Sequence, residues 1–160
     1  ALLVYGARVV AVGPAGTRRI PIDGFFVRSG VTTLARGEIV TAIELPVPER
    51  AMGAVHVRRT RRRGHDLASV TLCCGVDTAG VTRLAYGSVG PRPVLGVDES
   101  GVLADPAAPD AVKGPIFERL FVDASPSARS MRASPEYRQA MLRVLGARAL
   151  RVAIDRLAQR

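Results

Sequence analysis

The strongest constraint on the fold lies in residues 67–89, where apolar residues alternate on both sides of a turn. One face of the first run consists of Val70, Leu72, Cys74 and Val76. The turn Asp77-Thr78-Ala79-Gly80 follows, and in the second run, Val81 to Val89, Leu84 and Tyr86 share a face. Alternation with a period of two predicts a β-hairpin. The fold must therefore contain an antiparallel sheet.

Further strands are predicted before residue 60. Ala7 to Val12 and Arg18 to Ile22 flank Gly13-Pro14-Ala15-Gly16, which favours another hairpin. The stretch from Ile39 to Leu45 is rich in β-branched residues and lacks strict alternation, which is typical of a strand covered on both sides. Val55 and Val57 then begin a strand that runs into a cluster of arginines.

The C-terminal third favours helices. Ser134 is a good N-cap, Pro135 fits the first helical position, and Glu136 adds favourable charge, so we expect a helix running towards Leu157. Its predicted apolar stripe is Tyr137, Met141, Val144, Leu145, Ala149, Val152 and Ala153. Arg148 falls inside this stripe, and periodicity does not explain it.

The connection between the hairpin and this helix is less regular. Residues 90–109 are rich in Gly, Pro, Asp and Ala, and we expect an irregular segment with a weak helix near Glu99 to Leu103. Gly114-Pro115 interrupts the next helical pattern, which predicts a short helix from Ile116 to Val122. Strands come first and helices follow, so the fold class is α+β. The proline-rich stretch at 46–50 marks a boundary between units 1–50 and 51–160.

Charge leaves several functions open. The net charge is +9, and five of the six residues at 58–63 are arginine. Such a cluster is consistent with a solvated loop, a nucleic-acid contact, or a loop beside an anionic cofactor or partner subunit. The chain has only seven aromatic residues, none of them in the cluster, which weighs against single-stranded nucleic acid.

The residues that usually carry catalysis or bind metals are sparse. His56 and His65 are the only histidines, and Cys73 and Cys74 are adjacent, so no metal-ligand spacing exists and we expect neither a metal site nor a catalytic residue. His65-Asp66 is interpreted as a polar loop pair. Two free thiols and no apolar run of about 20 residues predict a cytoplasmic protein without a membrane span.

Four blocks, in this order, carry a resemblance to a known family. They are Ile20-Pro21-Ile22-Asp23-Gly24-Phe25-Phe26, Gly37-Glu38-Ile39-Val40 through Ile43-Glu44-Leu45-Pro46, Arg62-Arg63-Gly64-His65-Asp66-Leu67-Ala68-Ser69-Val70, and Arg132-Ala133-Ser134-Pro135-Glu136-Tyr137-Arg138. Together they resemble the C-terminal part of the FAD-binding, or medium, subunit of the molybdenum hydroxylases, of the xanthine dehydrogenase and carbon monoxide dehydrogenase type. The expected architecture is the end of an FAD-binding α+β domain (1–50) followed by a C-terminal domain of antiparallel sheet packed with helices (51–160).

The resemblance implies an oxidoreductase subunit in which FAD passes electrons from iron-sulfur clusters to an acceptor. It implies partner subunits that hold molybdopterin and 2Fe-2S clusters. The glycine-rich FAD loops of the family are expected upstream of Ala1. The strand-like start without a methionine agrees with an internal cut, so we expect this segment alone to be inactive.

The resemblance also implies cofactor-binding residues. The flavin contacts of the family fall on Val40, on Arg58 or, with a one-residue gap, Arg59, and on Asp66 and Leu67 at the loop. The family usually has lysine at the position of Arg58. Its C-terminal motif usually has aspartate where this chain has Ser130, so one contact of that motif is replaced. The alternatives are a basic nucleic-acid-binding domain and a structural docking module without cofactor.

Overall fold

The computed structural model describes residues 1–62 and 64–159. The strands are β1 (Arg8–Gly13), β2 (Gly16–Pro21), β3 (Phe26–Arg28), β4 (Val31–Thr32), β5 (Ile39–Glu44), β6 (Met52–Arg59), β7 (Val70–Asp77), β8 (Thr82–Gly87) and β9 (Val94–Asp98). The helices are α1 (Asp110–Leu120) and α2 (Pro135–Ala158). This combination of antiparallel strands and helices confirms the α+β prediction.

The strands form three antiparallel groups. The first is a sheet in the order β2-β1-β5, the second pairs β3 with β4, and the third is a meander in the order β6-β7-β8-β9. The predicted hairpins are confirmed as β1-β2 and β7-β8, with Gly13 opposite Gly16 and Val76 opposite Thr82.

The four-stranded sheet is covered on both faces. Leu72 and Cys74 belong to a core that also includes Leu142 and Ala149 of α2. The opposite face contributes to a second core, which joins Met52, Cys73 and Ala85 to the N-terminal residues Leu3, Val4 and Val9. Because neighbouring residues in a strand point to opposite faces, the adjacent cysteines lie in different cores.

Two glycines allow these layers to approach closely. A Cβ added at Gly53 in β6 would lie 2.1 Å from the carbonyl oxygen of Ala153 in α2. A Cβ added at Gly75 in β7 would lie 2.6 Å from Cγ1 of Val4. The sheet is therefore in tight contact with α2 on one face and with the N-terminal segment on the other.

The prediction that Ile39 to Leu45 is covered on both sides is wrong. Among the described residues β5 pairs only with β1, and Ile39 is 65% exposed and Ile43 50% exposed. β-Branched residues favour an extended backbone, but they do not determine whether anything covers the strand.

The irregular segment expected at 90–109 is also partly wrong. Val94–Asp98 forms the fourth strand of the meander, and residues 99–103 contain bends and a turn instead of a weak helix. Gly96 permits this strand to lie under α1, because a Cβ there would meet Leu120 at 3.1 Å. The helix expected at Ile116 to Val122 instead spans Asp110–Leu120 and contains Pro115. The loss of one backbone hydrogen bond is tolerated because α1 buries Phe117 and Leu120.

Helix α2 begins and ends close to the predicted residues. Ser134 accepts a hydrogen bond from the backbone N–H of Tyr137 at 3.2 Å, and Pro135 is the first helical residue. The predicted stripe, however, is rotated from the observed one. The buried residues of α2 are Arg138, Leu142, Leu145, Gly146, Ala149, Leu150 and Ala153. Gly146 faces the rings of Phe117 and Phe121, so Val144 and Val152 turn outwards and Arg148 is exposed.

Candidate functional site

The two candidate arginines at the end of β6 point to opposite faces of the sheet. Val57 packs against the core that contains α2, and Arg59, two residues on, donates from Nε to the hydroxyl of Tyr137 at 3.0 Å. Ala54 packs against the N-terminal core, and Arg58 follows on that same face. Arg58 is exposed and lies opposite Thr71 of β7. Sequence reasoning left open whether Arg58 or Arg59 is the flavin contact; of the two, Arg58 is the one on the face of the N-terminal core.

A small cavity of about 210 Å³ lies on the face that carries Arg58. Its lining includes His56, Thr71 and Cys73 of the sheet and Phe26 of the N-terminal unit. Cys73 is a buried thiol, whereas Cys74 belongs to the core on the opposite face of the sheet, where burial raises its pKa to about 12.

Asp66 organises the loop between β6 and β7. Its Oδ2 accepts hydrogen bonds from the backbone N–H groups of Arg61 and Arg62 at 3.2 and 3.1 Å. Desolvation tends to raise the pKa of Asp66, but the N–H groups of Arg62 and Leu67 and the nearby arginine charges outweigh it and lower the pKa. Asp66 thus remains ionised and braces the loop, and no contact with His65 is needed for this role.

Leu67 directly follows Asp66 and is 64% exposed. It lines a cleft of about 790 Å³ together with Ala68 and Thr71 from the sheet side and Ser29 from the N-terminal unit. Thr71 is also the strand neighbour of Arg58, so the fold brings Arg58 and Leu67 to adjoining parts of one surface. Arg63, which belongs to the same cluster, lies outside the described residues.

Val40 lies on a different sheet from the other candidates. It pairs with Ala11 of β1, and β5 has one edge without a strand partner in the described part of the chain. Val40 is 43% exposed. Its side chain and its backbone at that edge are therefore accessible.

The far wall of the cleft contains Arg138, which sequence reasoning did not single out as a site residue. The residue is only 7% exposed, and its guanidinium donates from Nη1 to the carbonyl oxygen of Ser88 and from Nη2 to Oγ of Ser130. Burial and the charge of Arg132 lower the pKa of Arg138. Ser88 has a φ of 65°, so the arginine holds a backbone conformation that is uncommon for serine. The signal in the sequence that could have found Arg138 is its position near the start of a helix that Ser134 caps.

The described residues include no group of three or more His, Cys, Asp or Glu side chains arranged to hold a metal ion. Within the same residues, no helix is long and apolar enough to cross a membrane.

Comparison with known proteins divides the chain into two matched parts. Residues 55–153 match the family model of the CO dehydrogenase flavoprotein C-terminal domain. Residues 1–48 match the model described as the FAD binding domain in molybdopterin dehydrogenase.

Curated relatives match along most of the chain. The xanthine dehydrogenase FAD-binding subunit of Escherichia coli O157:H7 is 26% identical over 95% of this chain and 53% of its own length. The carbon monoxide dehydrogenase medium chain of Hydrogenophaga pseudoflava is 27% identical over 95% of this chain and 54% of its own. The glyceraldehyde dehydrogenase medium chain of Sulfolobus acidocaldarius is 29% identical over 94% and 54%, respectively. The chain thus spans about half the length of these relatives.

Solved structures share the fold. A reconstituted CO dehydrogenase from Oligotropha carboxidovorans superposes with a TM-score of 0.83 at 23% identity, covering 97% of this chain and 55% of that one. Quinoline 2-oxidoreductase from Pseudomonas putida 86 gives a TM-score of 0.75 at 22% identity, covering 96% and 54%.

Proposed function

This chain belongs to the family of CO dehydrogenase flavoprotein C-terminal domains, and from that membership we propose that it forms part of the flavin subunit of a molybdenum-dependent hydroxylase. In this role it helps to bind FAD, which accepts electrons from iron-sulfur clusters and passes them to an acceptor. The observation that carries the proposal is the pair of matches in tandem, an FAD-binding model over residues 1–48 and the flavoprotein model over residues 55–153.

The proposed division into units 1–50 and 51–160 is supported by the chain between the sheets. β5 ends at Glu44, β6 begins at Met52, and the residues between them form no regular structure. Pro46 and Pro48 lie in this connection, where they cannot donate backbone hydrogen bonds. We assign the glycine-rich FAD loops to the part of the polypeptide upstream of Ala1, and the molybdopterin and 2Fe-2S centres to partner subunits.

Arg58 is the proposed basic contact of the flavin. It is exposed on the face that turns towards the N-terminal unit, whereas Arg59 is hydrogen-bonded to Tyr137 on the other face. A cation beside the flavin stabilises the negative charge that develops on reduction, and it does so most strongly where water is excluded. Arg58 would therefore both hold the cofactor and favour its reduced form.

Leu67 and Val40 are proposed as apolar contacts. Leu67 projects from a loop that Asp66 holds in place, so an apolar surface can cover the flavin ring without a large ordering cost. Asp66 contributes to flavin binding by holding the backbone of this loop in place. Val40 offers an exposed side chain and an accessible strand edge to the same cofactor.

The test is the flavin content of the full-length protein, purified as wild type and as the Arg58→Gln and Arg59→Gln variants. We expect the wild type to retain FAD and Arg58→Gln to weaken FAD binding by about 10- to 100-fold, the usual effect of losing a charge-assisted hydrogen bond. Arg58→Gln should also lower the reduction potential of the flavin, because the reduced form loses a counter-charge.

Arg59→Gln is the matched control, since it removes the same charge one residue away on the opposite face. It should leave FAD binding and potential unchanged. A correctly folded wild type without flavin would refute the proposed function. Loss of flavin in Arg59→Gln alone would instead refute the assignment of Arg58.

A further inference from the structure

Arg138 is a buried cation without a carboxylate partner among the described residues. Two other arginines, in contrast, form ion pairs with buried carboxylates. Arg83 pairs with Asp77 at 2.9 Å, and Arg119 pairs with Asp98 at 3.0 Å. Arg138 is more buried than either of these arginines, yet its acceptors are a carbonyl oxygen and a serine hydroxyl. Both acceptors are neutral.

The guanidinium is also incompletely hydrogen-bonded. Nε of Arg138 is buried and has no partner among the described residues. An ionised group removed from water is strongly unfavourable unless it is paired, and an unmade hydrogen bond adds to that cost. A negatively charged ligand beside the guanidinium would supply the counter-charge that the two neutral acceptors lack.

The cleft in front of Arg138 has the chemistry to hold such a ligand. The described residues that line it include Arg132, Ser125, Ser127 and Ser130, and none of them is Asp or Glu. Oγ of Ser127 accepts from the N–H of Arg129 at 3.2 Å, and Oγ of Ser130 accepts from Arg138. Because these oxygens are used as acceptors, their hydroxyl hydrogens can be donated to an anion.

We propose that this cleft is a binding site for a small oxyanion, held by Arg138 and Arg132 and by the hydroxyls of Ser127 and Ser130. The shared chemistry is that of a phosphate group. It can come from inorganic phosphate or from the phosphoryl groups of a bound dinucleotide, and only the second source depends on the proposed flavin function. The cleft has room for either, with a volume of about 790 Å³.

The test measures thermal unfolding of the full-length protein, freed of flavin, as inorganic phosphate is titrated against chloride at equal ionic strength. We expect the melting temperature of the wild type to rise saturably, by about 2–4 °C at ten times the dissociation constant. Arg132→Gln, which removes an exposed charge from the cleft, should weaken phosphate binding several-fold.

Ser130→Asp is the decisive variant, because it places a carboxylate where Arg138 now meets a hydroxyl. It should melt at a higher temperature than the wild type without phosphate and should lose the phosphate response. Thr78→Asp, which adds the same charge at an exposed turn, should keep the wild-type response. General exclusion of phosphate from protein surfaces would raise all melting temperatures alike.

Absence of a phosphate response in the wild type, or an equal response in Ser130→Asp, would overturn the proposal. Repeating the titration after FAD has been restored distinguishes the two sources. If FAD binding abolishes the phosphate response, the phosphoryl groups of the dinucleotide occupy the cleft. If the response is retained, the natural ligand is a free oxyanion. Flavin content is measured separately, so a protein that binds phosphate but never FAD would refute only the proposed function.

Discussion

Gly53 is a residue at which helix α2 approaches the sheet very closely. The sequence gives no sign of this close approach, because a glycine within a strand is normally expected to weaken the strand. In the fold, the space a side chain would need is taken by backbone atoms, the carbonyl oxygen of Ala153 at 2.1 Å and the nitrogen of Leu157 at 2.5 Å. Backbone atoms inside a packed helix cannot move without displacing the whole element.

Gly53→Ala should therefore destabilise the protein by about 2–3 kcal/mol, because a single methyl group overpacks the interface. Urea denaturation of the full-length protein measures this. Gly24→Ala is the control, since a Cβ at Gly24 would meet nothing within 4 Å, and its stability should change by less than about 0.5 kcal/mol. Equal stabilities for the two variants would mean that α2 does not contact β6 so closely.

Among individual residues, the arginines show how local prediction fails. Alternation correctly places Arg58 and Arg59 on opposite faces, but it does not say which face meets α2. The hydrogen bond from Arg59 to Tyr137, 78 residues away, supplies that information. The assignment of Arg58 and Leu67 to a flavin remains a prediction that the flavin-content experiment can decide.

At the scale of elements, Glu38 connects β2 to the turn before β5. Its carboxylate accepts from Nε and Nη2 of Arg18 at 2.7 and 2.8 Å and from the N–H of Ala35 at 2.6 Å. These hydrogen bonds, first that of Arg18, lower the pKa of Glu38 to about 2. An unfolded glutamate has a pKa of about 4.3.

Because the folded pKa is the lower one, the contribution of Glu38 to stability is present at neutral pH and is lost as the pH falls from about 4 to about 2. Glu38→Gln should melt at a lower temperature than the wild type at pH 7, and the difference should shrink towards pH 2. Melting curves across this range provide the measurement. Glu49→Gln, in the exposed connection between β5 and β6, should show no such converging difference.

Helix α2 illustrates which properties of an element are local. Its start follows from Ser134 and Pro135, which act within one turn. The phase of its buried stripe depends on Phe117 and Phe121, whose rings fill the space at Gly146. The periodicity of apolar residues does not register this contact, because glycine has no side chain, and the predicted stripe is therefore rotated from the observed one.

At the scale of the whole molecule, the N-terminal unit and the four-stranded sheet share one core. Met52 contributes to that core and is only 6% exposed, although it stands at the start of β6 beyond the proline-rich connection. The two matched parts of the chain are therefore joined by side-chain packing as well as by the backbone.

Met52→Ala should destabilise the full-length protein by roughly 2–5 kcal/mol, the usual cost of removing a buried methionine side chain. Met131→Ala is the matched control, because Met131 is 96% exposed and its loss should change the stability by less than about 0.5 kcal/mol. Chemical denaturation compares both variants with the wild type. Similar midpoints for Met52→Ala and Met131→Ala would show that the shared core contributes little.

The sequence by itself determined the features that arise between near neighbours: the α+β class, the β1-β2 and β7-β8 hairpins, and the capped start of α2. Periodicity and capping act over a few residues, so they can be read from the chain. The tertiary structure decided that β5 is exposed, that β9 completes the sheet, and that Arg138 is buried against Ser88, 50 residues away. Burial and charge pairing depend on residues that only the folded chain brings together.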